Sequence, residues 1–333
     1  MQGESYMIKI AELLPPHPSA LWRMVKQCGI EHVVGGMQLY AGWETMPQDF
    51  WPWSYNSLVH IKTTYEDAGF KLEVIESRPP MDAIKLGLPE RDREIENVIM
   101  LIKNMGALGI PVWCYEWMPV FGWTRTSTTT PIRGGALATS YNHEYMEHAP
   151  LTEYGIITEE QLWKNLEYFL KAVIPEAEKA HVKLAMHPDD PPVSPIRGVA
   201  RIMRSIDNFQ KLLDLYPSPV NGIALCQGNF ALMTDNLPQV IHHFGKQGKI
   251  FFVHFRNVKG TPYKFTETFH DDGMLDMYQC MKAYHDTGFD GVMRPDHVPT
   301  MEGDSNENPA YSSIGRLFAI GYMKGLLEAV SKA

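Results

Sequence analysis

The sequence predicts a closed (β/α)8 barrel, an α/β fold built as one domain over residues 1–333. Three observations carry that reading. Strand-like and helix-like segments alternate through eight units without a break. No GxGxxG or P-loop pattern stands at a strand–helix turn, which argues against the open nucleotide-binding sheets. Four consecutive strands end in His, Cys, His and Asp, and a parallel barrel concentrates its chemistry at such ends.

The elements follow in order. Met7–Ala11 reads as the first strand, closed off by Pro15, Pro16 and Pro18. Ser19–Cys28 is helical. His32–Gly36 is a second strand weakened by its glycines. A helix over Tyr55–Gly69 ends at its glycine. Lys71–Glu76 is the third strand, blocked by Pro79-Pro80. Arg91–Leu108 is a helix because Ile95, Val98, Ile99, Ile102 and Met105 share one face. The fourth strand is Pro111–Glu116. Residues 117–157 lack periodicity and are too long for an ordinary connection, so they read as a lid or substrate-binding loop after strand four. Thr158-Glu159-Glu160-Gln161 is a capping box opening a helix to about Ala180. Strands five to eight are Val182–His187, Gly222–Cys226, Ile250–His254 and Gly291–Asp296. The helices between them cover about Gly198–Leu215, Asn236–Phe244 and Met274–Thr287, and Tyr311–Ser331 closes the chain.

Composition narrows the function. The chain is 44% hydrophobic and 21% charged, a globular balance. Its net charge is -9 and no Lys/Arg cluster suits a nucleic-acid backbone, so an anionic substrate must be met by individually placed cations. No apolar run reaches the ~18 residues of a membrane span. Met1-Gln2-Gly3-Glu4-Ser5 does not open a signal peptide. Cys28, Cys114, Cys226 and Cys280 have no CxxC spacing. They are expected to be reduced, in a cytoplasmic protein.

The candidate site lies at the ends of strands five to eight. These read His187-Pro188-Asp189-Asp190, Cys226-Gln227, His254-Phe255-Arg256 and Arg294-Pro295-Asp296-His297. Crowding Arg, Asp and His onto one strand end costs several kcal/mol unless they pair or bind a ligand. An Arg–Asp pair closing the strand is the structural alternative. His187, Cys226, His254 and Asp296 are ligand types enough for one divalent cation. Imidazole and thiolate point to Zn²⁺ or Fe²⁺, and a carboxylate tolerates Mn²⁺ or Mg²⁺. Cys114 and Cys280 read as packing residues. Asp189 and Asp190 are either partners of the ligands or solvated turn carboxylates. His270 either touches substrate or caps the next helix.

These stretches resemble the mannonate dehydratase family, metal-dependent sugar-acid dehydratases with a xylose-isomerase-like barrel. The resemblance runs from about Tyr65 onward and rests on His187-Pro-Asp-Asp-Pro-Pro192, Phe252-Val-His-Phe-Arg-Asn-Val258, Trp123-Thr-Arg-Thr126 and Arg294-Pro-Asp-His297. It implies Mn²⁺, with Fe²⁺, Co²⁺ or Zn²⁺ as substitutes, and dehydration of D-mannonate to 2-keto-3-deoxy-D-gluconate. It implies His187, Cys226, His254 and Asp296 as metal ligands, His297 and Tyr311 as the acid–base pair beside Asp296, and Arg294 as a substrate contact. Trp123, Arg125, Glu116 and His270 are further candidates for substrate contact. The resemblance also implies a homodimer and a small sugar acid as partner.

The chain departs from the family in its first half. The family's first strand, Arg-Trp-Tyr-Gly, is Ile8-Lys9-Ile10-Ala11 here, a family Asn on strand four is Glu116, and the Asp between Phe and Trp is Gly122. Glu116 puts a negative charge beside a centre that receives an anion. Two such charges ~6 Å apart at an effective dielectric of ~20 repel by roughly 2.8 kcal/mol. A hydroxyl contact, or pairing with an Arg such as Arg125, is the expected relief. Metal-assisted elimination is the leading reading. A metal-dependent isomerase, epimerase or lyase on another sugar is the alternative enzyme, and a non-catalytic sugar-acid-binding barrel the alternative class.

Overall fold

The computed structural model describes residues 8–332. Met7 of the expected first strand, and the stretch Met1–Ser5, lie outside the described residues. The chain runs β1 (Lys9–Leu13), α1 (Ala20–Gln27), β2 (His32–Gly35), α2 (Tyr55–Asp67), β3 (Lys71–Ile75), α3 (Asp82–Leu86), α4 (Arg91–Ala107) and β4 (Val112–Glu116). Then come β5 (Ser127–Pro131), β6 (Leu137–Asn142), α5 (Glu159–Ala180), β7 (Lys183–His187), α6 (Ile206–Leu215), β8 (Asn221–Cys226), α7 (Gln227–Ala231) and α8 (Leu237–Lys246). The chain ends through β9 (Ile250–Phe255), β10 (Val258–Thr261), β11 (Lys264–Glu267), α9 (Met277–Asp286), β12 (Val292–Pro295) and α10 (Ser313–Lys332).

Eight parallel strands close in the order β1-β12-β9-β8-β7-β4-β3-β2, so the fold is the expected (β/α)8 barrel. Closure is made where Lys9 and Ile10 pair with Val292 and Met293. Small and branched side chains such as Ala11, Val34, Val74, Ala185 and Ala224 fill the interior. The opposite strand faces pack on the helices. That double burial explains why β9, all six residues of it buried, reads as an unbroken apolar run. In α4, Ile95, Val98, Ile102 and Met105 are buried as the periodicity predicts, while Ile99 is only partly covered. Each fully buried side chain of this kind contributes about 1.5–3 kcal/mol. The capping box of α5 forms: Thr158 Oγ1 accepts from the Gln161 N–H, and Gln161 Oε1 accepts from the Thr158 N–H.

Two expectations change. α6 starts at Ile206, capped by Ser205, rather than near Gly198. The residues before it are drawn into the barrel end, where the Met203 N–H donates to Asp189 Oδ2 at 2.7 Å. Residues 117–157 are not irregular throughout. β5 and β6 join β10 and β11 in an antiparallel sheet of order β10-β11-β6-β5, made from the segments that follow β4 and β9. β5 is Thr-rich and largely exposed, so no apolar alternation marked it.

Glu12, on β1, is 1% exposed, and its Oε2 has no hydrogen-bond partner. Burial pushes its carboxyl up from 4.5 to about 7, against the pull of Arg316 and Arg294. A raised carboxyl favours the folded state while protonated. Its contribution is full below pH 4.5 and is lost as pH rises to about 7. The loss is about 3 kcal/mol at 1.36 kcal/mol per pKa unit. Denaturant titrations at pH 4.5 and pH 8 should therefore differ less for Glu12→Gln than for the wild type. Parallel pH profiles would show that Glu12 ionises freely.

Candidate active site

A cavity of about 240 Å³ opens at the C-terminal ends of the barrel strands. Strand register builds its floor. Cys226 on β8 pairs with His254 on β9, and His254 pairs with Arg294 on β12. On the other side Glu116 of β4 pairs with His187 of β7.

Ligand-type atoms of His187, Cys226 and His254 all lie within 4.8 Å of one another. His187 Nε2 is 3.1 Å from His254 Nδ1. Asp296 Oδ2 is 3.6 Å from His254 Nδ1 and 3.8 Å from Cys226 Sγ. Donor atoms bound tetrahedrally at 2.0–2.3 Å from one cation stand ~3.3–3.8 Å apart, so His187, Cys226 and His254 are close enough to share an ion, with Asp296 beside His254 and Cys226. Their outer partners agree. His187 Nδ1 faces the Pro188 carbonyl at 2.7 Å, which assigns the proton to Nδ1 and leaves Nε2 free. His254 Nε2 is 3.1 Å from Glu76 Oε1, within ion-pair distance but without a hydrogen bond. Arg256 Nε donates to Cys226 Sγ at 3.1 Å.

Beside this cluster lies a buried ionic lattice. Arg125 is bidentate to Asp190 at 2.6 and 2.9 Å and also donates to Glu267. Arg256 donates to Glu267, to Asp190 Oδ2 at 2.9 Å and to Asn229 Oδ1 at 2.6 Å, and its Nε is 3.0 Å from Asp296 Oδ2. Gly228 makes room for it: a Cβ there would stand 2.7 Å from Arg256 Nε. Burial raises the acidic groups, but the guanidiniums outweigh it and hold Asp190 and Glu267 below the usual carboxylate range. Asp296 is likewise held well below, by His297, Arg294, His254 and Arg256 against burial.

His297 connects the lattice to the cavity. Its Nδ1 is 2.7 Å from Glu267 Oε1 and its Nε2 is 3.2 Å from the Tyr311 hydroxyl. With Glu267 accepting, a proton sits on Nδ1, and Nε2 is the ring nitrogen turned to the Tyr311 hydroxyl. The backbone holds His297 at φ +25°, a strained setting of the kind found at functional positions. Burial pushes the Tyr311 phenol well above its ordinary value, so it remains protonated. The Trp123 ring lies 4.8 Å from the imidazole, 42% exposed, and lines the cavity.

Other predicted residues fall differently. Arg294 lines the cavity with its donors engaged: Nε and Nη2 on Glu76, Nη1 on Asp296 Oδ1 at 2.9 Å and on the Pro295 carbonyl. Arg125 is sealed in the lattice and is not on the cavity wall. His270 is fully buried, its Nε2 2.6 Å from the Phe255 carbonyl, away from the cavity. Asp189 and Asp190 are buried rather than solvated, and they pair with arginines and backbone rather than with the ligand atoms. Cys114, read as packing, also lines the cavity. Glu116 pairs not with Arg125 but with Arg78 and with Lys85 Nζ at 2.8 Å, and its Oε2 takes the Met118 N–H. Burial raises Glu116, yet Lys85 and Arg78 bring it down to about 2, and burial lowers Lys85 to about 8. The negative charge expected to repel an anionic substrate is thus neutralised in place. Sequence reasoning missed Glu76, Arg78, Arg256 and Glu267. The Phe-Arg-Asn after the His of strand seven was the available signal for Arg256.

Among the described residues, no helix is long and apolar enough to cross a membrane. The family model described as D-mannonate dehydratase (UxuA) matches residues 17–154 and 148–333. The mannonate dehydratase of Thermotoga neapolitana is 38% identical, covering 95% of this chain and 95% of that protein. The crystal structure of mannonate dehydratase from Streptococcus suis serotype2 superposes with TM-score 0.88 at 34% identity, over 98% of this chain and 94% of that one. An L-ribulose 3-epimerase structure, at 14% identity and TM-score 0.64 over 98% of this chain and 96% of that one, shares the fold alone. With a sugar-acid dehydratase family matched over both halves of the barrel, the chain belongs to the mannonate dehydratase family.

Proposed function

We propose that the protein dehydrates D-mannonate to 2-keto-3-deoxy-D-gluconate with one Mn²⁺ held by His187, Cys226, His254 and Asp296. The observation that carries the reaction is the chain Glu267–His297–Tyr311, which ends in the cavity beside the ligand cluster. The bound cation supplies Lewis acidity for the charge that develops on the substrate carboxylate. His297 Nε2, its Nδ1 proton held by Glu267, takes the proton from C2. The C–H electrons form the C2–C3 double bond as the C3–O bond breaks. Tyr311, kept protonated by its burial, donates to the departing hydroxyl, which leaves as water. The resulting enol tautomerises to the 2-keto acid. Arg294, locked on Glu76 and Asp296, orients both a ligand and the carboxylate behind His254. A cytoplasmic site of action is part of the proposal, supported by four cysteines that form no disulfide.

Keto-deoxy acid release from D-mannonate by Mn²⁺-loaded protein tests the reaction. Absence of product with Mn²⁺, Fe²⁺, Co²⁺ and Zn²⁺ alike would sink it. The centre is tested separately by elemental analysis, with about one equivalent of metal expected in the wild type and a loss of at least about tenfold in affinity for His254→Ala. Equal metal content in the two proteins would remove His254 from the ligand set.

A further inference from the structure

Arg78 has spare donors on the cavity wall. It lines the cavity, and its side chain is 28% exposed against 2% for His254 and 3% for Asp296. His254 and Asp296 therefore lie deeper in the cavity than Arg78. Its Nε is spent on Glu116 and its Nη1 faces the Pro79 carbonyl at a long 3.4 Å. Its Nη2 has no protein partner among the described residues. The other guanidinium on the wall, Arg294, has both Nη groups and Nε engaged.

Arg78 is also held in place. Glu116 is fixed by Lys85 and by the Met118 N–H, and Lys85, wholly buried, donates in turn to the Met118 carbonyl at 3.1 Å. The ends of β3 and β4 and the helix α3 thus share one bracket. A donor fixed beforehand loses little freedom on binding. The charge of Arg78 already faces that of Glu116, so a second substrate carboxylate would meet Glu116 as well. An uncharged acceptor fits better.

We propose that Arg78 determines specificity by donating to hydroxyl oxygens at the end of the sugar acid remote from its carboxylate, with Glu116 and Lys85 as its positioning residues. The inference rests on the sugar-acid reading above, in which the carboxylate end lies at the floor. It makes the site a reader of chain length: a six-carbon acid reaches the bracket and a four-carbon acid does not.

Calorimetric titration tests this without turnover, in Mn²⁺-loaded His297→Asn protein. The ligands are D-mannonate and a four-carbon aldonic acid of the same configuration at C2 and C3. Adding Arg78→Met should weaken D-mannonate about 10- to 100-fold, the cost of a lost charge-assisted hydrogen bond, and leave the four-carbon acid within about twofold. Arg78→Lys should recover part of the loss. Glu116→Gln, which frees the bracket, should show the same chain-length dependence and serves where Arg78→Met does not fold. Equal weakening of both acids, or an unchanged D-mannonate affinity, overturns the proposal. Failure of the native holoenzyme to form product is a separate result. It would overturn the dehydration and leave the chain-length comparison to decide Arg78.

Discussion

His297→Asn should lower kcat on D-mannonate by about 10²–10⁴-fold, the range for removing a positioned proton-transfer group. Asn is the replacement of choice because the backbone stands at φ +25° there, and Asn tolerates positive φ better than most residues. The fold should therefore survive, and so should the centre, since both His297 ring nitrogens are turned to Glu267 and Tyr311 rather than to His187, Cys226 or His254. Metal content equal to that of the wild type, with kcat collapsed, is the expected pair of results. Tyr311→Phe should act on kcat in the same sense, because its hydroxyl is 3.2 Å from His297 Nε2. The double variant should lose little more than either single one, as groups that act as a unit do. A kcat within about threefold of the wild type for His297→Asn would move the base elsewhere.

The part of the site carried by single strands was legible in the sequence. β7, β8 and β9 are short apolar runs, and a ligand-type residue at the end of each needs no knowledge of its neighbours to stand out. What failed was pairing between distant segments. Glu76 follows directly on β3 and looks solvated until Arg294 is brought to it from 218 residues away. Glu267 looks like one more turn carboxylate until Arg125, 142 residues earlier, reaches it. Glu116 drew the expectation of Arg125 as partner, but the lattice of Asp190 and Glu267 had already claimed that guanidinium. Charge type is written in the sequence, whereas the choice among several opposite charges is made by the barrel's closure.

Glu267→Gln should cost about 3–5 kcal/mol of stability, the scale for breaking a buried ion pair from one side. Glu267 is 2% exposed, and its Oε1 alone accepts from Arg125, Arg256 and His297, while Oε2 has no partner. Gln can keep its amide oxygen on the three donors and set its NH₂ in the place of Oε2. The shape is retained and only the charge is deleted. The lattice then holds Arg125 and Arg256 against Asp190 and the Asp296 oxygen that Arg256 Nε reaches, one buried carboxylate short. The native carboxylate is held low by Arg256, His297 and Arg125 against burial. Its contribution is present above the ordinary carboxylate value of 4.5 and lost as pH falls below it, so the difference between wild type and Glu267→Gln should shrink in acid. An exposed pair sets the scale for comparison. Arg133 and Asp271 make two 2.9 Å bonds, as well formed as any in the lattice, but are 45% and 34% exposed. Arg133→Ala should cost no more than about 1 kcal/mol. Denaturant titration at pH 7 separates the two, and a Glu267→Gln loss no larger than that of Arg133→Ala would show that the lattice is solvated and that burial does not set its strength.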